Sequence, residues 1–412
     1  MKIFRILSAV LSVLLISAAF GTGVELVSGS HTAGLFAASV SISASLLFKS
    51  MPNFAFALPA TDASAIAGYA GSFDKTLIHA FLNGLDFVKD LTVRRNVKAP
   101  INLTKMTVSD GARPLDLNIK TAKNPGRTYS GRILNVGCGM KIFEMVPQEL
   151  KDTWMSEMLV PNAKQVPFAQ WVWQREFEHL AAETNDNFYF NEDHSATAAY
   201  NAALAYVAGD YVKFNEVIYK ANASAAAGQS PATNPALWDD FDNQSIFDGP
   251  GKIIADEILA ANLTEIATGV VNNTNALEKH LQMWRSATDA HKTKGMIQYV
   301  SMSGYEDLID DTINRHGTGN GVSGMDIDVT PNGVFLKKTN GKCLVKPATW
   351  MSGTDRIIQT MAGNMVVGMN QVSDLQKIGK VVENLHGLEA IAKYYIGFQV
   401  RDLDVLYVND QV

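Results

Sequence analysis

The segment that most constrains this chain runs from Leu91 to Val136. "LTVRRNVKAPINLTKMTV" alternates as a strand does, "SDGARP" carries turn chemistry, and "LDLNIKTAKNPGRTYSGRILNV" returns as a second extended run. The pattern predicts a long two-stranded hairpin over residues 91–136. An isolated hairpin is marginally stable in water, so an arm of this length implies packing on a neighbour. Composition points the same way. Charged residues make up 18% of the 412-residue chain, below the roughly 25% of ordinary soluble proteins. The shortfall predicts surface buried against other subunits.

Several function classes fall away. A net charge of −6 argues against the broad basic face that phosphate neutralisation needs, leaving only local spots at Arg94-Arg95 and Lys337-Lys338. Cys138 and Cys343 give neither a disulfide framework nor metal-ligand spacing. Gly319, Gly321 and Gly324 form a nominal G-x-G-x-x-G, but a helix precedes it and the strand-like "MDIDV" follows, the reverse of the order a dinucleotide site needs, so it reads as a loop. Asp326 and Asp328 alternate onto one strand face, with no third acidic ligand nearby, and read as a solvated face. His179 follows Glu176 and Glu178, and His194 follows Glu192-Asp193, outside any H-E-x-x-H or cysteine–histidine pattern. No cofactor is implied, and the expectation is a protein without catalysis.

The N-terminus is unusual. "MKIFRILSAVLSVLLISAAF" places Lys2 and Arg5 ahead of an apolar run from Ile6 to Phe20, the layout of a secretory signal, and on that evidence alone export is favoured. A second run, Ala33 to Phe48, is Ser- and Ala-rich and short of the roughly 20 apolar residues that span a bilayer. Further on, Leu77, Phe81, Leu85 and Val88 form a helical stripe. Pro167 opens a long helix carrying Phe168, Trp171 and Phe177. "GPGKIIADEILAANLTEIATG" and "NNTNALEKHLQMWRSATDAH" read as helices, the second capped by Asn275 with Glu278 in support. "MIQYVSMSGYEDLIDDTINRHG" is a strand and then an amphipathic helix. The last hundred residues turn mostly to strand, clearest in "GNMVVGMN" and "AIAKYYIGFQVRDLDVLYV". The class is α+β.

Between these elements lies "YVAGDYVKFNEVIYKANASAAAGQSPATNPALW", Tyr206 to Trp238. Gly209-Asp210, the aromatics Tyr206, Tyr211, Phe214 and Tyr219, and then Gly228, Pro231 and Trp238 have a spacing similar to small chitin- and cellulose-binding modules. Tyr206, Tyr219 and Trp238 are the candidate sugar platform, because aromatic faces stack on the C–H faces of sugar rings. Val212, Val217 and Ile218 are candidates for the core. Alternatively the aromatics are themselves the core, since so small a unit needs every large side chain it has.

Read in order, the hairpin, the proline-started helix, "GPGKIIADEILAAN", "MIQYVSMSGYEDLI", "SGTDRIIQTMAGNMVVGMNQVSD" and "AIAKYYIGFQVRDLDVLYV" resemble the major capsid proteins of tailed bacteriophages over roughly residues 91–190 and 243–412. Their shell fold takes its name from phage Hong Kong 97. The resemblance implies the extended hairpin (E loop) over 91–136 and a P domain with spine helix over 137–193; a helix over 61–90 precedes them, and the apolar leader or N-terminal arm over 1–60 departs from the family, whose members often begin with a scaffolding segment. It implies linking helices over 243–295, an A domain over 296–370 and P-domain strands over 371–412, and the carbohydrate-binding-module-like domain, small and all-β over 194–242, falls between its elements as an insertion. It further implies hexamers and pentamers that close an icosahedral head shell around the phage genome, with the hairpin lying across an adjacent subunit. Portal or decoration proteins, packaged DNA held non-specifically on the inner surface, and host or environmental glycans are the other partners it suggests. The setting is the virion, assembled in the host cytoplasm with transient membrane association through the leader. Some relatives crosslink a hairpin lysine to an asparagine. Lys120, Lys123 and Asn364 are of the right types, but no spacing selects them. The competing reading is a secreted or envelope-attached carbohydrate-binding protein.

Overall fold

The computed structural model describes residues 66, 77–78, 81–108, 127–146, 150, 153–154, 168–316, 326–370, 382–384 and 387–411. The leader, the hairpin tip with Lys120 and Lys123, Pro167, and the glycine triplet at 319–324 lie outside the described residues. In chain order the described strands are β1 Thr92–Arg95, β2 Ile101–Val108, β3 Arg127–Leu134, β4 Gly137–Met145, β5 Tyr211–Phe214, β6 Val217–Ala221, β7 Trp238–Asp240 and β8 Met296–Val300. They continue with β9 Ile327–Thr330, β10 Gly333–Leu336, β11 Cys343–Pro347, β12 Ile358–Thr360, β13 Met365–Met369, β14 Val382–Asn384, β15 Gly387–Val400 and β16 Leu406–Val408. The helices whose bounds lie wholly within the described residues include α1 Asp86–Asp90, α2 Phe168–Asn187, α3 Pro250–Leu259, α4 Ala276–Ser286, α5 Asp289–Lys294 and α6 Met302–His316. Among the described residues no helix is long and apolar enough to cross a membrane.

The strands form a five-stranded sheet in the order β1-β13-β15-β14, with β4 also on β15, and a six-stranded sheet in the order β16-β12-β8-β11-β10-β9. The hairpin β2-β3 and the three-stranded β5-β6-β7 stand apart from both. Hairpin pairing begins at Ile101, opposite Leu134. Thr92–Arg95, which sequence alternation had suggested for the hairpin, runs parallel to β13 instead. The intervening residues Asn96 to Pro100 cannot continue a ladder, since Asn96 is left-handed (φ 62°) and Pro100 lacks an amide proton.

The main core lies between α2 and the five-stranded sheet. Trp173, Phe177, Leu180 and Thr184 recur at helical spacing and are all buried. Trp173 meets Phe143 of β4 edge-on at 5.5 Å, and Phe81 meets Tyr394 of β15 edge-on at 5.2 Å, the arrangement that ring quadrupoles favour. The stripe Leu77, Phe81 and Leu85 is buried in the same cluster, with Val88 packed against it. It is not one continuous helix, because Leu85 is extended and α1 restarts at Asp86, whose amide is taken by Asn185 Oδ1 at 3.0 Å.

A second core lies around α4, α6 and the six-stranded sheet, built on Leu277, Leu281, Leu308, Val334 and Val345. Asn275 does not cap α4 through its side chain. Its Oδ1 accepts from Asn272 N within the preceding turn, and the Leu277 amide donates to Asp311 Oδ2 of α6 at 2.8 Å. A carboxylate only 1% exposed and held by Arg315 at 2.7 Å is the stronger partner for the positive end of a helix. The segment expected as one helix here is also two, since Thr288 is extended and precedes α5.

His280 of α4 is fully buried and shares a hydrogen bond of 2.7 Å between Nδ1 and Gln298 Oε1. The Gln298 amide nitrogen donates to His280 O and to Gln359 Oε1, so its oxygen is left to accept and the imidazole proton sits on Nδ1. Nε2 is buried without a partner. Burial pushes this histidine down from its ordinary 6.5 to about 4. The unfolded chain takes up the proton near 6.5 and the folded chain resists it until about 4, so this contribution to stability is full above 6.5 and is lost as pH falls through that window. At about 1.4 kcal/mol per unit the loss is about 3 kcal/mol. Urea denaturation between pH 7.5 and 4.5 is expected to show this decline, and His280→Gln should flatten most of it.

Candidate functional site

The hairpin arm has two unlike faces. Pairing sets Ile101 against Leu134, Leu103 against Arg132 and Lys105 against Ser130 on one face, and strand alternation puts Asn102/Ile133, Thr104/Gly131 and Met106/Tyr129 on the other. The first face meets the body. Leu103 and Leu134 are buried with Val366 of β13, Arg132 reaches Glu257 of α3 at 2.5 Å, and Lys105 reaches Asp402 at 2.7 Å. Gly397 of β15 lies directly beneath this root, where a Cβ would come within 1.9 Å of Asn135 O. The second face is open and apolar, with Tyr129 67%, Ile133 56% and Met106 55% exposed.

A second open face lies on β4 and β15. Phe143, Met145, Ala390, Ala392 and Tyr394 point into the core, and the alternate positions point outward: Ile142 opposite Ile391, Met140 opposite Lys393, Cys138 opposite Tyr395, and Glu144 opposite Glu389. Met140 (57%) and Ile142 (53%) are among the most exposed apolar side chains of the fold. A strand apolar on both faces belongs to a sheet with partners on both sides. That signal was present in "GCGMKIFEM".

The inserted domain also has two faces. Its β5–β6 connection is a two-residue turn with Asn215 at φ 51° and Glu216 at φ 70°, the geometry that suits a twisted hairpin. On one face Val212, Ala221, Ala225 and Trp238 are buried, with Tyr200, Tyr206 and Tyr219 packed around them. Trp238 stands edge-on to Tyr206 at 5.4 Å and its indole N–H donates to Gln229 O. The Tyr206 hydroxyl accepts from Asn201 N and donates to Asn201 O. Thus the three candidate sugar-contacting residues come together in one cluster, with Trp238 as its buried centre and Tyr206 and Tyr219 half-buried at its margin. Val212 and Ile218 are buried as expected of core residues, and Val217 is half-buried.

The opposite face carries Tyr211, Ile218 and Lys220 toward the junction with the body. His194 lies tilted against Tyr211, ring centroids 3.9 Å apart, and meets Phe241 edge-on, while Lys220 Nζ lies over the Tyr211 and Phe241 rings. His194 Nε2 is 3.4 Å from Glu192 Oε2, and Lys252 of α3 holds the other oxygen at 3.2 Å. Burial pushes His194 down, against the pull of Glu192. Burial also pushes the Tyr211 hydroxyl up, and its hydrogen bond to Glu192 adds to that. At the neck, the Asn191 side-chain oxygen accepts from the amides of Ile246 and Phe247, and its carbonyl accepts from Gly249 N at 2.7 Å. A Cβ at Gly249 would lie 2.3 Å from Phe188 O, so only glycine lets the two chain segments approach this closely.

The remaining sequence candidates are dispersed. Asp326 pairs with Lys338 at 3.2 Å, and among the described residues no group of three or more His, Cys, Asp or Glu is placed to hold a metal. Asn364 is buried, donating to Thr360 Oγ1 and Asp402 O and accepting from Asp402 N. A cleft of about 120 Å³ between Thr92, Tyr299 and Met365 is smaller than a typical small-molecule site.

Residues 199–239 match the model of carbohydrate-binding module family 5/12. A search of curated proteins finds no match. Among solved structures, the chain is similar to the satellite phage P4 procapsid, at 11% identity and a TM-score of 0.48, covering 90% of this chain and 96% of that one. It is also similar to the capsid of Myoviridae phage XM1 (10% identity, TM-score 0.41, 79% and 91% covered) and to the capsid of cyanophage A-1(L) (14%, 0.37, 79% and 92%). These structural neighbours are phage capsids. The mixed α+β layout of extended hairpin, long helix and two sheets, with a small all-β unit inserted, is the one that the Hong Kong 97 resemblance implies.

Removing the indole at the centre of so small a cluster costs about 3–5 kcal/mol, comparable to what a single core of this size supplies. Trp238→Ala is therefore expected to unfold the inserted domain and leave the melting of the two main cores in place. Calorimetry of the variant is expected to lose the inserted domain's share of the unfolding enthalpy while the transition of the main cores stays at its wild-type temperature.

Proposed function

We propose that the chain is a structural shell subunit that assembles with copies of itself by laying the open face of its arm on the outward face of β4 and β15 of a neighbour. The observation that carries this reading is the arm's face of Met106, Tyr129 and Ile133, exposed on an element too thin to have a core of its own. Fully burying a large apolar side chain is worth about 1.5–3 kcal/mol, so one arm contributes several kcal/mol to a contact that a closed assembly repeats at every subunit. Glu144 on the receiving face suits Arg127, at the outermost described position of the arm.

In its finer form the reading is of hexamers and pentamers that close an icosahedral shell around a phage genome. Packaged DNA then meets the inner surface non-specifically, and portal or decoration proteins complete the particle. Assembly takes place in the host cytoplasm, with the apolar leader giving transient membrane association, and no catalysis is involved. A further reading applies to the inserted domain alone, where the family match supports glycan binding, with the domain carried on the outside of the shell in this reading. Half-buried Tyr206 and Tyr219 supply the stacking rings and buried Trp238 holds them in place.

Electron microscopy and size-exclusion chromatography of the purified chain are expected to show closed particles. Tyr129→Asp or Ile142→Asp should leave folded subunits that do not close, and a wild-type chain that stays monomeric at high concentration in every salt condition would refute the proposal. For the inserted domain, Tyr219→Ala is expected to weaken retention on insoluble chitin or cellulose about tenfold, roughly one lost stacking contact, while the domain stays folded, unlike in Trp238→Ala.

A further inference from the structure

The arm is tied to its own subunit by one cation from each strand, and the two cations reach different elements. From β3, Arg132 donates through Nη1 to Glu257 Oε1 of α3 at 2.5 Å and through Nε to Gln399 Oε1 of β15 at 3.0 Å. Glu257 is itself steadied by Asn262 at 2.8 Å, and Gln399 donates back to Ile133 O. From β2, Lys105 binds Asp402 at 2.7 Å and also Asp404, in and beside the 3₁₀ turn Leu403–Val405. Asp402 is fixed in turn by Asn364, which accepts from its amide at 2.8 Å. The Leu103–Leu134–Val366 cluster lies nearer the root. Beyond Lys105 and Ser130, residues 106–108 and 127–129 are all exposed.

A two-stranded ribbon held only at an apolar root can swing about that root. An anchor on each strand, each to a different element of the body, restrains that swing, because the arm cannot move away from the body without breaking at least one of them. Partly exposed ion pairs contribute little to the stability of a fold, and the fold here has two large apolar cores that do not depend on them. Their effect falls on the direction of the arm. Burial opposes ionisation of Glu257, yet Asn262 and Arg132 hold its carboxyl below the ordinary range. Hydrogen bonds to Asp402 and Asp404 raise Lys105, so Glu257 and Lys105 are both held in their charged forms.

We propose that Arg132 and Lys105 are positioning residues for assembly, holding the arm in its docking direction before a second subunit arrives. This rests on the shell-subunit reading for its consequence but not for the restraint itself. A preoriented arm does not lose its angular freedom on contact, which favours association without adding an interfacial contact.

The test compares the full chain with Arg132→Glu, the exchanged pair Arg132→Glu with Glu257→Arg, and Lys105→Gln. In isolated subunits, amide hydrogen exchange over residues 101–108 and 127–134 is expected to quicken in Arg132→Glu and Lys105→Gln, and to return toward wild type in the exchanged pair, while melting temperatures stay close to wild type. Assembly followed by light scattering should slow roughly tenfold in the single variants and recover in the exchange. Wild-type exchange rates across the arm in both single variants would overturn the proposal, as would assembly at the wild-type rate by subunits whose arms have been loosened. If wild-type chains form no particles, the shell reading fails, and the exchange comparison still decides whether the two cations restrain the arm. If Arg132→Glu does not fold, Lys105→Gln and the exchanged pair carry both measurements.

Discussion

Strand β15 is the element on which the other surfaces depend. Over fourteen residues it pairs with β14 and β4 in its first part and with β13 in its last. Its inward side chains, Tyr394 and Phe398 among them, enter the aromatic core beneath α2, while its outward side chains make half of the open face with β4. The same strand supplies Gly397 and Gln399 to the arm root. Backbone pairing thus fixes the arm and the open apolar face in one rigid frame. A one-residue slip of β15 would exchange its buried and open faces together.

Much of this was legible in the sequence because periodicity reports burial. The long helix carrying Phe168, Trp171 and Phe177, the strand–helix at Met296 to His316, and the last strands all formed where alternation or helical spacing had put them. What sequence could not supply was competition between partners. Asn275 is a good capping residue by type, but Asp311, distant in sequence, is the better acceptor once burial and Arg315 have fixed its charge. Thr92–Arg95 alternates as well as any hairpin strand, yet its edge is satisfied by β13, which lies far along the chain.

The candidate sites were legible only by residue type. Sequence marked Tyr206, Tyr219 and Trp238 together, and they do meet, but the division into a buried centre and a half-buried margin follows from the close packing of a very small core. The arm's anchors were missed for a related reason. Lys105 and Arg132 look like ordinary strand cations, and only the fold shows that Asp402 and Glu257, far away in sequence, stand opposite them.

The neck at Asn191 has a consequence for how such a chain can change. One side chain there binds the amides of Ile246 and Phe247, and its carbonyl binds Gly249, so entry and exit of the insertion are closed within the host before any of the inserted domain's own contacts are counted. To the two sheets, the residues above that closure amount to a surface loop of arbitrary length, and loop length adds to the closure entropy only logarithmically. The position therefore works as a socket, in which a domain of another size or binding habit could replace this one while the frame built on β15 stays as it is.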